Sequence, residues 1–306
     1  MDETPSTEKP LPPEPAKPPP EPRVEPKAVE VIKPAPPAGP PHVVEFKNVT
    51  KTYGGRHPYT AIKNVTFHVA DLPNIGEMIA VLGPSGCGKS TVLKLIAGLE
   101  PQHPATEGEV LVLGQPVTGP GADRGMVFQD YTAFPNRTVL DNVAFGLECR
   151  GMSSGERYDL ANHWLEKVGL NPARDAYKYP HQLSGGMRQR VAIARSLILA
   201  PRILLMDEPF GALDPMTSLR MQDLLINLWK TSQTTVFFVT HSITEAVFLG
   251  DRIYLFSNAP GTIVEEVHAP RPEEPAVDAY QHPDFQEKVK NIRVKIAKME
   301  AERGVI

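Results

Sequence analysis

The chain has 306 residues, 41% of them hydrophobic and 22% charged, the make-up of a soluble globular protein with one large domain or two small ones. A net charge of −4 gives no electrostatic case for nucleic acid. The two cysteines, Cys87 and Cys149, form neither a disulfide framework nor a recognisable metal cluster, which fits a reducing compartment.

No run of 18 apolar residues is present to span a bilayer, and the opening MDETPSTEKPLPPEP lacks the basic and apolar regions of a secretory leader. The cytoplasm is the expected location. Residues 1–42 hold 15 of the 33 prolines, interleaved with Glu and Lys. Proline fixes φ and removes donors, so this stretch is expected to be a disordered, partly polyproline II tail. At ~3.1 Å per residue it would reach on the order of 100 Å. It reads either as a tether or docking arm or as a plain spacer; composition does not decide.

The folded part is expected from 43 onward. VVEFKNVTKTY (43–53) and AIKNVTFHVA (61–70) alternate like half-buried strands across the turn residues GGRHP. MIAVL (78–82) is a short apolar strand, and STVLKLIAGLE (90–100) has helical spacing. EVLVLG (109–114) and GMVFQ (125–129) read as strands, and Thr138 to about Leu199 as helices. RILLMD (202–207) and TTVFFVTH (234–241) are buried strands around a helix at 216–232. RIYLFSNAPGTIVEEV (252–267) reads as a hairpin across Asn258–Gly261, and DFQEKVKNIRVKIAKMEAERG as a charged amphipathic helix. This order predicts a mostly parallel α/β core with an antiparallel sheet near the N-terminus and an all-helical insert.

Three motifs carry chemistry. GPSGCGKST (83–91) fits G-x-x-x-x-G-K-S/T between a strand and a helix. Glycines let backbone N–H groups approach phosphate, and the helix directs its positive end there. Lys89 is expected at the β- and γ-phosphates, Ser90 on Mg²⁺ and Thr91 near the α- and β-phosphates. The motif points to a nucleoside triphosphate and leaves the task open. Cys87 within it is either a redox-sensitive thiol or a small residue that fits. ILLMDE (203–208) ends a buried strand in two carboxylates: either a solvated strand end or, following a phosphate loop in an alternating α/β chain, a pair in which Asp207 is expected to face Mg²⁺ and Glu208 to deprotonate the attacking water. LSGGMRQR (183–190) opens a helix with Ser184 as N-cap. It is either a second anion-binding terminus that meets a nucleotide on another copy, or a plain capped helix.

GPSGCGKST, LSGGMRQR, ILLMDEP and FGALD occur in that order, followed by His241. Together they resemble the ATP-binding subunit of ABC transporters over about residues 43–268. The resemblance implies a P-loop NTPase (RecA-like) core with an antiparallel β subdomain and an all-helical signature subdomain at about 130–199. Residues 269–306 form a C-terminal extension. It implies ATP and Mg²⁺ as ligands, with Gly83, Pro84, Ser85, Gly86, Cys87, Gly88, Lys89, Ser90 and Thr91 cradling ATP and Tyr53 stacking on adenine. Glu208 is then the general base. Gln129 and His241 are its catalytic partners, and Gln129 joins Ser90 and Asp207 at the metal. Ser184, Gly185, Gly186 and Asp214 act in trans across a homodimer, or a pair with a similar subunit. Further implied partners are a polytopic membrane permease and, indirectly, a substrate-binding protein. The subunit would sit on the inner face of the cell membrane, with no nucleic acid, and the insert and Gln129 loop would groove a permease helix.

YPHQ (179–182) before the signature is typical of importer subunits, and the 65 residues after His241 are too few for the regulatory β-domain of the maltose-type branch. GPGADRGMVFQD (119–130) and DNVAFGLE (141–148) are similar to the nitrate, sulfonate, taurine and bicarbonate branch. Asn136 stands where that branch usually has Trp, and Met187 replaces the commonest Gln of the signature. The alternatives are a soluble non-transport ABC ATPase, which usually has tandem units or a coiled-coil insert, and an exporter-associated subunit.

Overall fold

The computed structural model describes residues 42–72, 76–232 and 234–301. Residues 1–41 of the proline-rich tail and residues 73–75 lie outside the described residues. β1 (His42–Tyr53) and β2 (Tyr59–Ala70) pair antiparallel, with Phe46 opposite Phe67 and their rings 4.6 Å apart. β1 also pairs with β4 (Glu107–Val112), which turns into the two-residue β5 (Gln115–Pro116). This sheet has the order β2-β1-β4-β5. His42 belongs to β1, opposite Ala70, so the strand begins one residue before the expected boundary of the tail.

The second sheet holds β3 (Met78–Leu82), β6 (Arg124–Val127), β7 (Ile203–Asp207), β8 (Thr235–Thr240), β9 (Arg252–Phe256) and β10 (Ile263–His268). Its order is β10-β9-β3-β8-β7-β6, parallel except for the hairpin strand β10. β3, β7 and β8 are buried throughout, as strands covered on both faces must be. Their side chains alternate between two cores. Ile79, Val81, Leu205 and Phe237 join the layer of α1 (Lys89–Ala97) and the antiparallel sheet, while Ala80, Leu82, Met206 and Phe238 face the opposite layer.

That opposite layer begins with the helical insert: α2 (Val139–Cys149), α3 (Ser154–Lys167), α4 (Pro172–Asp175), a 3₁₀ turn at Pro180–Gln182 and α5 (Gly185–Leu197). Each of the three long helices starts on a Thr or Ser N-cap that accepts a backbone N–H. α6 (Pro215–Lys230) and α7 (Ile243–Leu249) complete the layer. α8 (Ala276–Ala279) and α9 (Pro283–Ala301) continue the same core, through Ala276, Ala279, Phe285, Val289 and Ile292. The C-terminal extension is therefore packed into the fold, because the amphipathic helix has an apolar stripe to cover.

Candidate nucleotide site

Parallel strands share one carboxyl edge, and this sheet gathers chemistry there. β3 and β8 are in register through Leu82 and Thr240, β7 and β8 through Asp207 and Val239, and β6 and β7 through Val127 and Met206. The residues that follow are the phosphate loop after β3, Gln129 after β6, Glu208 after β7 and His241 after β8. Loops scattered over 160 positions of sequence thus end side by side, as open α/β sheets arrange their ligand sites.

The phosphate loop is shaped by Gly86 and Gly88, at φ +77° and +92°. Gly88 could carry no side chain: a Cβ would sit 2.5 Å from Ile62 Cγ2 and 2.7 Å from the Ala61 carbonyl of β2. The N–H groups of Gly86, Gly88, Lys89 and Ser90 have no acceptor among the described residues. They are the orphan donors of a loop and a helix start, and they fit a polyphosphate. Lys89 is only 5% exposed, and its Nζ donates to the Gly83 and Pro84 carbonyls at 2.8 and 2.9 Å. Tyr53, Ser85, Gly86, Lys89, Ser90 and Thr91 line one cleft with Glu208. Tyr53 Oη lies 3.1 Å from Thr91 Oγ1, tying the strand tyrosine to the helix.

Ser90 Oγ donates to Asp207 Oδ1 at 2.8 Å. Burial pushes the Asp207 carboxyl above its ordinary range, and the Ser90 hydroxyl opposes that shift. A hydroxyl and a carboxylate are the hard oxygen donors Mg²⁺ takes, and Mg²⁺ characteristically completes its shell with water and substrate phosphate.

Gln129 Nε2 donates to Glu208 Oε2 at 3.2 Å, and His241 Nδ1 lies 3.6 Å from the same oxygen. Glu208 has φ +45°, while its N–H still donates to the Val239 carbonyl at 3.0 Å. The sheet ladder thus continues one residue past β7 while the left-handed turn redirects the chain. Such a conformation is costly for a residue with a Cβ and persists only where its surroundings enforce it.

Ser184, Gly185 and Gly186 are not in this cleft. Ser184 Oγ caps α5 by accepting the Met187 N–H at 3.3 Å, and its side chain is exposed. Gly185 lies against Ala212 and Leu213, beside Asp214, whose carboxylate caps α6 through the Thr217 N–H at 3.0 Å. Within one chain the signature groups therefore lie with one another and apart from Lys89. Cys87 is 1% exposed, and burial pushes its thiol up. It lacks the accessible, low-pKa thiol that the redox reading requires and packs as a small buried residue.

Residues that carried no motif also shape the site. Tyr59 stands opposite Tyr53 in the β1–β2 register, and its hydroxyl donates to the Gly86 carbonyl at 2.8 Å. Behind His241, Thr240 Oγ1 donates to the half-buried Glu245 at 2.6 Å and accepts the Ser242 N–H at 3.0 Å. Asn142, fully buried in α2, bonds the backbone of Phe134, Arg137 and Thr138 and so fixes the chain that follows Gln129. Beside that chain runs an apolar groove lined by Met126, Phe128, Phe134, Phe145 and Leu199, with Arg195 among them. The HSITEA spacing and an Asn one turn into a helix were the only traces of these roles in the sequence.

The ABC transporter family model matches residues 62–211. A nitrate import ATP-binding protein of Synechocystis is 51% identical over 225 residues, covering 73% of this chain and 81% of that protein. A taurine import ATP-binding protein of Escherichia coli is 44% identical over 226 residues, covering 74% and 84%. The chain belongs to the ABC transporter family of ATP-binding subunits. A bacterial ABC transporter cassette solved as a dimer is 37% identical with a TM-score of 0.65, covering 74% of this chain and 98% of that one. A second dimeric cassette structure, in a post-hydrolysis state with ADP and Pi, gives 0.64 at the same identity and coverage. As an ABC cassette the chain has the P-loop NTPase fold and is an ATPase. No helix among the described residues is long and apolar enough to cross a membrane.

Proposed function

We propose that this chain is the ATP-hydrolysing subunit of an importer for a small oxyanion of the nitrate, sulfonate or taurine kind. The observation that carries hydrolysis is the convergence of Ser90, Asp207, Gln129, Glu208 and His241 at one sheet edge. The import reading is supported by the nitrate and taurine import relatives. Bound Mg²⁺ would neutralise phosphate charge, with Ser90, Asp207 and Gln129 as its protein partners. Lys89 and the loop N–H groups hold the phosphates, Tyr53 receives the adenine, Glu208 takes the proton of the attacking water, and His241 faces the γ-phosphate.

Ser184, Gly185 and Gly186 complete the site from a second copy, with Asp214 at the same junction. Closure of the pair on ATP and reopening after hydrolysis form the working stroke. The apolar groove beside the Gln129 loop receives a helix of a polytopic permease, which keeps the subunit on the inner membrane face. The substrate itself is selected by the permease and a binding protein.

The hydrolysis reading is tested by Glu208→Gln, expected to keep ATP binding and to lose about 10²–10⁴-fold in turnover. Turnover at the normal rate would remove Glu208 from the base role. The transport reading is tested by co-purification from gently solubilised membranes. A polytopic membrane protein is expected, and its companion binding protein can be titrated with nitrate, sulfonates and taurine. Recovery of ribosomes or nucleic acid instead would sink the transport reading.

A further inference from the structure

Two buried side chains meet on one carbonyl beside Glu208. Tyr131 Oη donates to the Pro209 oxygen at 2.7 Å, and Gln189 Nε2 donates to the same oxygen at 2.5 Å. Tyr131 is 4% exposed and Gln189 is fully buried. They come from two arms of the fold. Tyr131 lies two residues past Gln129 in the strap leaving β6, and Gln189 lies in α5, five residues past Ser184. Neither lines the nucleotide cleft.

The strap belongs mechanically to the helical insert. Asn142 of α2 bonds its backbone at Phe134, Arg137 and Thr138, and Arg195 of α5 donates to the Thr132 carbonyl at 2.5 Å. Pro209, by contrast, lies in the turn that follows the core strand β7. Its ring fixes φ, so a displacement of its carbonyl is shared between ψ of Pro209 and ψ of Glu208, a residue already held at φ +45°. Gln189 Oε1 has no partner among the described residues. A buried amide half satisfied is costly, and here the satisfied half is the one that grips Pro209.

We propose that Tyr131 and Gln189 are positioning residues for hydrolysis: by gripping the Pro209 carbonyl, they make the attitude of Glu208 depend on how the helical insert lies against the core. The inference rests on Glu208 being the general base. It predicts an effect on turnover without one on nucleotide binding, because Pro209 is not part of the cleft lining.

The test uses the full chain with Tyr131→Phe, Gln189→Leu and the double variant, measuring kcat, KM, affinity for a non-hydrolysable ATP analogue, and thermal melting. Each single variant is expected to lose about tenfold in kcat. KM and analogue affinity should stay within about twofold, since remote positioning acts on the reacting step rather than on uniform binding. The double variant should lose far less than the product of the singles, because both act through one oxygen. In a Glu208→Gln background, Tyr131→Phe should change the residual rate no further.

A Glu208→Gln protein that turns over normally defeats the base reading, whatever the other variants do. An inactive Glu208→Gln protein alongside wild-type kcat in both Tyr131→Phe and Gln189→Leu overturns the positioning role alone. So does a joint decline of kcat, analogue affinity and melting temperature, which marks mere loss of fold. Should Gln189→Leu not fold, Tyr131→Phe, which removes a single oxygen, decides by itself.

Discussion

Asp175 ends the short α4 turn, fully buried yet surrounded by donors. Arg174 Nε and Nη2 reach its oxygens at 3.0 and 2.8 Å, Lys178 Nζ at 2.7 Å and the Asn171 N–H at 3.1 Å. The Arg174 guanidinium foremost, then Lys178 and the Asn171 N–H, hold the carboxyl well below the usual carboxylate range against the opposing effect of burial. The segment it organises carries the Ala176 and Lys178 carbonyls, which accept the N–H groups of Leu140 and Val139 at the start of α2. Asp175→Asn keeps the shape, removes the charge and turns an NH₂ group toward a cation. A hydrogen bond to a charged group contributes about 1.5–3 kcal/mol net. The Arg174 side chain is 67% exposed and that of Lys178 33%, so water screens both bridges and recovers part of the loss. One backbone bond lost in full and two screened bridges give a destabilisation of about 2–3 kcal/mol. At about 2–4 °C per kcal/mol for a domain of this size, melting should fall by about 5–10 °C. Because the folded-state pKa is depressed, the charge stabilises fully above the unfolded value of about 3.9, and that stabilisation disappears as pH falls through the folded value. Melts of wild type and variant should therefore differ equally at pH 7 and 5 and draw together below about pH 4. A gap under ~0.5 kcal/mol at pH 7, or one that widens on acidification, would refute this account of the site.

Ser184→Arg should leave analogue binding to the monomer intact while abolishing the ATP-dependent dimer, seen by sedimentation in a Glu208→Gln background; loss of binding by the monomer would contradict the in-trans role. Gly88→Ala drives a Cβ to 2.5 Å from Ile62 Cγ2 at φ +92°. It should cost about 1–2 kcal/mol in backbone strain alone and weaken analogue binding about tenfold or more, measured by melting and equilibrium titration. Unchanged affinity would mean that the loop and β2 separate freely.

The parallel core and the phosphate loop were legible because short apolar runs ending in Gly-rich or acidic residues have few other uses. MIAVL and ILLMD are buried at every position, as such runs imply. The Ser184 cap was legible for a local reason too, since Ser before a helical run accepts the third N–H beyond it. Pairing across distance was not legible. Nothing in YTAFPN marks Tyr131 as a donor to Pro209, 78 residues on, and Tyr59 joins the cleft only through its register with Tyr53. The C-terminal helix was legible as amphipathic, but what its apolar face covers was not: Phe285, Val289 and Ile292 join the core of the helical layer. Local chemistry reads from sequence; who meets whom is fixed by topology.

The two inferences share a helix. α5 begins at the exposed Ser184 terminus and, one turn further in, carries the buried Gln189 that bonds beside Glu208. A helix interior is too stiff to absorb a displacement over five residues. Were Ser184 to engage a nucleotide held by a second copy, as proposed, the reaction force on α5 would therefore reach the Pro209 carbonyl of its own chain. The strap would add a second route, from a permease helix of the kind proposed for the groove beside Phe134, through Tyr131 to the same oxygen. Pairing of the two copies and engagement of a membrane partner would thus converge on one carbonyl before either affects the general base. An enzyme wired in this way can bind ATP in the open state yet align Glu208 only once both contacts are made, which is how a transport ATPase would avoid idle turnover.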